Sequence, residues 1–267
     1  MSLLSVRELQ RALAGAVSEP VVVEVLKHKP GRRLTVRAAT TRGPVIAKAY
    51  ASQRAPAVAA RVRALAGGPR EPRLPTVLHT DAALGFVVLS AVPGRPLGDS
   101  VDAEDDRACR AVGAALGRWH RAWHGAPPPV LRSHTVEAEL ATLADRAAAA
   151  PSGISAGVRA LARALDRPWA RTTVVHRDLY EQQILVADRV DLIDLDNAAA
   201  APPELDVGNL LAHLQLRGAR DTTGSAILDG YRQAGGELDD VRLRQCTALA
   251  RLRLACIHSE PALLTPF

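Results

Sequence analysis

Three side chains that can hold a hard cation lie next to short apolar runs in the second half of the chain. Asp178 follows one run, Gln183 directly precedes the next, and Asp194 ends a third. A carboxylate at the edge of a buried strand needs a proton, a partner or a metal ion, because its charge is costly to bury alone. Carboxylate and amide oxygens are ligands that suit Mg²⁺, which usually brings phosphates with it. The pattern therefore predicts a magnesium and phosphate site within residues 172–209.

The order of these residues is similar to a known catalytic segment. Residues 176–179 read His-Arg-Asp-Leu, and an amide side chain stands five residues after the Asp. This resembles the kinase catalytic loop H-R-D-x-x-x-x-N, and the Asp-Leu-Asp at 194–196 stands where that fold has D-F-G.

The stretch that follows separates two kinds of kinase. Only seven residues lie between Asp196 and Glu204, which leaves no room for the activation segment of a eukaryotic protein kinase. Residues 203–209, Pro-Glu-Leu-Asp-Val-Gly-Asn, are similar to the D-P-x-x-D-L-A stretch of the aminoglycoside phosphotransferase and choline kinase family. The chain resembles a divergent member of this family over about residues 21–216.

The resemblance implies a role for five residues of the catalytic segment. Asp178 matches the catalytic Asp, which orients or deprotonates the acceptor hydroxyl. Asp194 matches the metal Asp that bridges Mg²⁺ to the nucleotide phosphates, and Gln183 matches the second metal ligand, usually Asn. His176 is similar to the buried histidine that braces the loop, and Asp206 to the structural Asp that tethers it.

The resemblance also implies a nucleotide-binding set within the first 92 residues of the chain. Lys48 resembles the third-strand lysine that contacts the α and β phosphates. Ser90 and Val92 match the hinge, where the Ser90 carbonyl and the Val92 amide would hold the adenine edge. The hairpin at 29–33 is not a G-x-G-x-x-G loop, and Arg32 is expected to contact phosphate there in place of glycine amides.

Two departures from the family pattern keep a second interpretation open. The helix predicted after the lysine strand, at 53–66, contains no acidic residue that could pair with Lys48, and Glu71 is the first acid beyond it. Gln183 is one methylene longer than the usual Asn. Both features also fit a nucleotide-binding pseudokinase or regulatory module without turnover.

Hydrophobic periodicity and turn residues predict the elements that position these side chains. The first part is expected to hold a helix with capping-box spacing at its start, a three-strand meander, a second helix and two more strands, at 5–14, 21–26, 34–38, 45–49, 55–65, 77–79 and 86–89. The remainder is expected to be mainly helical, with helices at 105–123, 135–149, 158–165, 206–216, 225–234 and 239–260 and short strands at 174–175, 184–186 and 190–193.

Composition limits the function classes. The 267 residues carry a net charge of +6, with 14 Lys and Arg against 5 acidic residues up to residue 92 and 20 against 23 after it. The basic arginines are scattered and aromatic residues make up only 3%, which argues against a nucleic-acid binder, the third alternative. No apolar run is long enough for a membrane span, no signal peptide is expected, and three unpaired cysteines favour the cytoplasm.

We therefore predict an α+β, bilobal protein-kinase-like fold. An antiparallel β-sheet lobe at 1–92, with a hinge to about 97, would bind the nucleotide, and a mainly helical lobe at 93–267 would hold the catalytic loop and the acceptor site. The expected activity is transfer of the γ-phosphate of ATP or GTP to a hydroxyl of a small molecule, with Mg²⁺. Nucleic acids and membranes are not expected partners.

Overall fold

A computed structural model describes residues 2–148, 152–164, 169 and 172–258 of the chain. Contacts divide the chain into two compact units. The N-terminal unit comprises the chain up to residue 68 together with 73–93, and the C-terminal unit comprises 69–72 and the chain from 94 onward.

The N-terminal unit is built on one five-stranded antiparallel sheet. Its strands are β1 (Val23–Lys29), β2 (Arg33–Ala38), β3 (Val45–Tyr50), β4 (Val77–Asp81) and β5 (Phe86–Ser90). They are ordered β1-β2-β3-β5-β4, which confirms the predicted meander of the first three strands. Two helices belong to this unit, α1 (Val6–Val17) and α2 (Ala55–Ala66).

Helix α1 begins at the predicted capping box. The Glu8 amide donates to the Ser5 hydroxyl at 3.3 Å, and the Ser5 amide donates to the Glu8 carboxylate at 2.7 Å. This reciprocal pair satisfies donors that a helix start otherwise leaves open. The helix then buries Leu9 and Leu13 against one face of the sheet.

Strand alternation gives the sheet two different faces. Leu34 and Ala47 belong to the apolar cluster under α1. Their neighbours along the strands, Thr35 and Lys48, point to the opposite face, where Thr35, Lys48 and Val87 are paired across three adjacent strands. The sheet therefore separates an apolar core from a face that carries a buried lysine.

The C-terminal unit is mainly helical, as expected. Its helices are α3 (Leu97–Asp102), α4 (Asp106–Ala122), α5 (Val136–Ala147), α6 (Ser152–Ala164), α7 (Glu204–Leu216), α8 (Asp221–Gln233) and α9 (Asp240–His258). Its strands are β6 (Arg95–Pro96), β7 (Thr173–Val175), β8 (Ile184–Val186), β9 (Val190–Leu192) and β10 (Ala199–Ala201). They form the pair β10-β7 and the small sheet β6-β8-β9.

Some elements differ from the sequence expectations. Helix α3 and strands β6 and β10 were not expected, because they are too short to show a period. Strand β10 is three alanines, which favour helix, and its pairing with β7 overrides that preference. Helix α6 begins six residues before the expected 158, and the ends expected at 149, 165 and 260 lie outside the described residues.

Helices α4 and α8 touch through their backbones. A Cβ on Gly113 would lie 1.9 Å from the Ile227 carbonyl oxygen, so only glycine permits this approach. The close packing brings His120 of α4 to Tyr231 of α8, and both side chains are buried. Among the described residues, no helix is long and apolar enough to cross a membrane.

Candidate active site

The start of the loop between β7 and β8 is held by hydrogen bonds to a buried carboxylate. Asp206, in the first turn of α7, accepts hydrogen bonds from the backbone amides of His176 at 2.6 Å and Arg177 at 2.8 Å. Nε2 of His120 lies 3.4 Å from the same carboxylate, and Nδ1 of His120 lies 2.9 Å from the Tyr231 hydroxyl. The beginning of the loop is thus fixed to α7 and, through His120, to the α4–α8 pair.

The ring of His176 contacts both the Asp178 loop and the segment that precedes Asp194. Its Nε2 lies 2.7 Å from the Ile193 carbonyl oxygen, which can only accept, so Nε2 carries the proton. Its Nδ1 is then free to accept the Asp178 amide at 3.3 Å. This neutral ring connects the backbone of Asp178 to the residue that precedes Asp194.

Gln183 and Asp194 are adjacent. Nε2 of Gln183 lies 3.5 Å from Oδ2 of Asp194, and the Gln183 carbonyl accepts the Ile193 amide at 3.0 Å. Asp194 has a φ of 62°, in the left-handed region of the backbone that residues other than glycine, Asn and Asp seldom adopt. This backbone sets the Asp194 carboxylate two residues after β9, beside Gln183.

The two side chains fit a hard divalent cation. A rotation of 180° about the Cγ–Cδ bond of Gln183 would exchange the positions of its amide oxygen and its NH₂ group. The two orientations of the amide have the same shape. One carboxylate and one amide oxygen suit Mg²⁺ when phosphates and water supply the other ligands. Among the described residues, no group of three or more His, Cys, Asp or Glu side chains forms a metal site by itself.

Tyr180 and His213 form a stacked pair beside Asp178. Their ring centroids are 4.9 Å apart and the planes differ by 24°. Burial raises the pKa of Tyr180, and the negative charges of Asp178 and Asp194 add to the effect. Burial and the charge of Arg253 lower the pKa of His213 to about 4, which leaves it neutral at physiological pH.

The expected nucleotide-binding residues lie in three places in the N-terminal unit. Lys48 is 5% exposed at the centre of the sheet. Ser90 ends β5, where its amide and hydroxyl are both bonded to Thr76, and Val92 lies two residues beyond it, half-buried. Arg32 is exposed in the turn between β1 and β2, where its amide donates to the Lys29 carbonyl at 3.0 Å.

The structure also places residues that the sequence analysis did not use. Thr35 lies directly opposite Lys48, is 7% exposed, and its hydroxyl has no hydrogen-bond partner among the described residues. His213 follows Asn209 by four residues, a spacing that puts both on one face of α7. Glu71, the first acid after α2, instead pairs with Arg118 of α4 within the C-terminal unit.

A five-stranded antiparallel sheet followed by a helical unit with this loop is a protein-kinase-like fold. The chain belongs to the phosphotransferase enzyme family (APH), whose sequence profile matches residues 28–249. The family suggested by the sequence motifs is therefore confirmed. A comparison with curated proteins found no match.

Solved structures share the fold at low sequence identity. A macrolide 2′-phosphotransferase from Brachybacterium faecium is 17% identical with a TM-score of 0.67, covering 97% of this chain and 95% of that one. An amicoumacin kinase in complex with AMP-PNP and Ca²⁺ is 17% identical with a TM-score of 0.68, covering 92% and 82%. A choline/ethanolamine kinase family protein from Mesorhizobium loti is 18% identical with a TM-score of 0.63, covering 91% and 84%.

Proposed function

We propose that this protein is a metal-dependent kinase that transfers the γ-phosphate of ATP or GTP to a hydroxyl of a small molecule. The observation that carries the proposal is the loop at 176–183. It is fixed at buried Asp206 and at the His176 ring, and it holds Asp178 in the same unit as the adjacent Gln183 and Asp194. Phosphoryl transfer needs such fixed positions more than it needs covalent chemistry.

Each residue of the C-terminal set has one task in this proposal. Asp178 accepts a hydrogen bond from the acceptor hydroxyl and takes its proton as the new bond to phosphorus forms. The bond from the γ-phosphorus to the bridging oxygen breaks, and the nucleoside diphosphate leaves. Asp194 and Gln183 would hold Mg²⁺, which neutralises charge on the donor phosphates when bound.

The N-terminal unit is proposed to bind the nucleotide. Lys48 is the candidate for phosphate contact. A buried cationic side chain is costly unless it pairs with an anion, and the nucleotide phosphates are anions. Thr35, whose hydroxyl shares that sheet face, is a further candidate for contact with the nucleotide. Arg32 would reach phosphate from its exposed turn, and the backbone at Ser90 and Val92 would meet the base.

The ligands named for related structures support the ligand classes in this proposal, which are a nucleotide, a divalent cation and a small molecule. One related structure contains AMP-PNP and Ca²⁺ with a small molecule, and another contains ADP and spectinomycin. These are a nucleotide with a divalent cation in the first case and a nucleotide with a small molecule in the second. We propose the same two ligand classes here, with Mg²⁺ as the cation.

The test is thermal unfolding of the wild type and Asp178→Ala with MgATP or MgGTP, with and without EDTA. We expect a metal-dependent rise of about 2–3 kcal/mol in unfolding free energy near 100 times the Kd, in both proteins. Formation of nucleoside diphosphate and of phosphorylated product with a hydroxylated acceptor library should fall about 10²–10⁴-fold in Asp178→Ala only. Nucleotide binding without transfer in the wild type would favour the pseudokinase alternative, and equal turnover in both proteins would remove Asp178 from the mechanism.

A further inference from the structure

Helix α7 makes a second contact with the catalytic loop, one turn after Asp206. Nδ2 of Asn209 lies 2.6 Å from the Leu179 carbonyl oxygen. Asn209 is 2% exposed and Leu179 is fully buried, so no water competes for this bond. Because Leu179 lies between Asp178 and Tyr180, the contact holds the backbone directly next to the residue that carries the proposed catalytic carboxylate.

The orientation of the Asn209 amide is determined by its two neighbours. Its Oδ1 accepts a hydrogen bond from the guanidinium of Arg253, on α9. A guanidinium only donates and a carbonyl oxygen only accepts, so the amide must turn its NH₂ to Leu179 and its oxygen to Arg253. The reversed orientation would oppose two acceptors at one end and two donors at the other.

Arg253 is held in turn by α5. Its Nη1 lies 3.6 Å from Oε1 of Glu139, whose Oε2 lies 2.7 Å from Nε2 of His134. Burial opposes the ionisation of Glu139, but the His134 hydrogen bond and the Arg253 charge outweigh it and lower its pKa. A continuous polar chain therefore runs from α5 through α9 and α7 to the Leu179 carbonyl.

We propose that Asn209 and Arg253 are positioning residues for the catalytic loop. Arg253 fixes the Asn209 amide, and the amide fixes the backbone between Asp178 and Tyr180. The consequence for phosphoryl transfer rests on the proposed role of Asp178, whereas the ordering of the loop does not. The competing role is purely structural, in which Asn209 only joins α7 to α9.

The variant Asn209→Asp separates the two roles. It keeps the size of the side chain and strengthens the pairing with Arg253, but it places a carboxylate oxygen against the Leu179 carbonyl. A helix-joining residue would tolerate this change, whereas a loop-positioning residue would not. Gln215→Glu, which adds the same charge to an exposed position on α7, is the matched control.

The first readout is hydrogen exchange, which requires no turnover. The amides of Asp178 and Gln183 donate within the loop, to His176 and to Tyr180, and therefore report on its order. We expect exchange at these amides to be about tenfold faster in Asn209→Asp than the change in its unfolding midpoint accounts for, with no change in Gln215→Glu. Unchanged exchange in Asn209→Asp would overturn the proposal even if no phosphotransfer were detected.

The second readout uses MgATP with water as the phosphate acceptor. We expect kcat to fall about tenfold in Asn209→Asp and KM for MgATP to change less than kcat, because the loop that carries Asp178 is displaced while the N-terminal unit is unaltered. Arg253→Met should lower kcat less, about threefold, and Arg253→Lys should restore part of it by donating to Asn209. A fall in kcat without faster exchange would contradict the positioning role.

Discussion

The groups that hold the loop around Asp178 and the hydroxyl opposite Lys48 differ in how they are bonded. In the C-terminal unit, the Asp206 carboxylate, the His176 ring and the Asn209 amide all have partners within the protein. In the N-terminal unit, the buried Thr35 hydroxyl opposite Lys48 has no hydrogen-bond partner among the described residues.

Under the proposed function, the difference corresponds to two ways of preparing for the reaction. Groups that must hold a reacting atom in place are fixed before the substrate arrives, which avoids reorganisation during the reaction. A polar group that is buried without a partner lowers the stability of the fold. A ligand that forms a hydrogen bond with this group removes that cost and therefore binds more tightly. We expect substitutions in the first region to lower stability or turnover, and substitutions in the second to lower affinity.

The largest expected effect on stability is at Asp206. Asp206→Asn keeps one acceptor oxygen but turns an NH₂ group toward one of the two loop amides, so a buried donor loses its partner. We expect the free energy of unfolding to fall by about 2–3 kcal/mol. Urea unfolding measures the change, and Asp221→Asn, in the exposed first turn of α8, is the control. A loss below 0.5 kcal/mol would contradict a preformed loop.

A pH-dependent change in stability is expected from His213 in the C-terminal unit. The pKa of His213 is about 4 in the folded protein, below its ordinary 6.5, so unfolding takes up a proton as the pH falls below 6.5. The contribution of His213 to the free energy of unfolding is therefore fully present above pH 6.5. It falls by about 2 kcal/mol between pH 6.5 and 4, after allowance for partial exposure of the ring. In His213→Phe, which keeps the stacking, the fall over this range should be smaller by that amount. Equal slopes would contradict the assignment.

The metal site should respond to the length of the side chain at 183. In Gln183→Ala we expect the Mg²⁺ concentration for half-maximal stabilisation by ATP to rise about tenfold, equivalent to about 1.4 kcal/mol, because one oxygen ligand is lost. In Gln183→Asn the rise should be smaller, about threefold, because the oxygen remains on a shorter arm. The exposed Gln182→Ala is the control. Equal losses in both variants at 183 would remove Gln183 from the metal site.

The smallest effect tests the sheet face. Thr35→Val removes the hydroxyl and keeps the shape, so the unfolding free energy should stay the same or rise by up to about 1 kcal/mol. The Kd for MgATP, measured by calorimetry, should rise about fivefold, and Thr35→Ser should restore most of the affinity. A Thr35→Val variant that loses stability but not affinity would place the hydroxyl in the fold of this unit and not in its ligand site.

The sequence predicted those parts of the fold that depend on local pattern. The capping box at Ser5, the antiparallel meander and most helices follow from spacing and turn residues alone. The Asp178 segment was predicted because its motif is contiguous. The roles of Thr35, His213 and Asn209 were not predicted, because each depends on a partner far along the chain. Likewise, three alanines at 199–201 carry no sequence signal for a strand, since only pairing with β7 makes them one.

The left-handed backbone at Asp194 sets a limit on how this protein can evolve. Asp194 at φ 62° and Arg177 at φ 69° both occupy a region where glycine is the least strained residue. Selection for stability alone would favour glycine at these positions by about 1 kcal/mol each. At position 194 that change would remove the proposed metal ligand. A lineage that lost its need for turnover should therefore drift toward glycine here, which makes residue 194 a marker that separates working enzymes from inactive descendants.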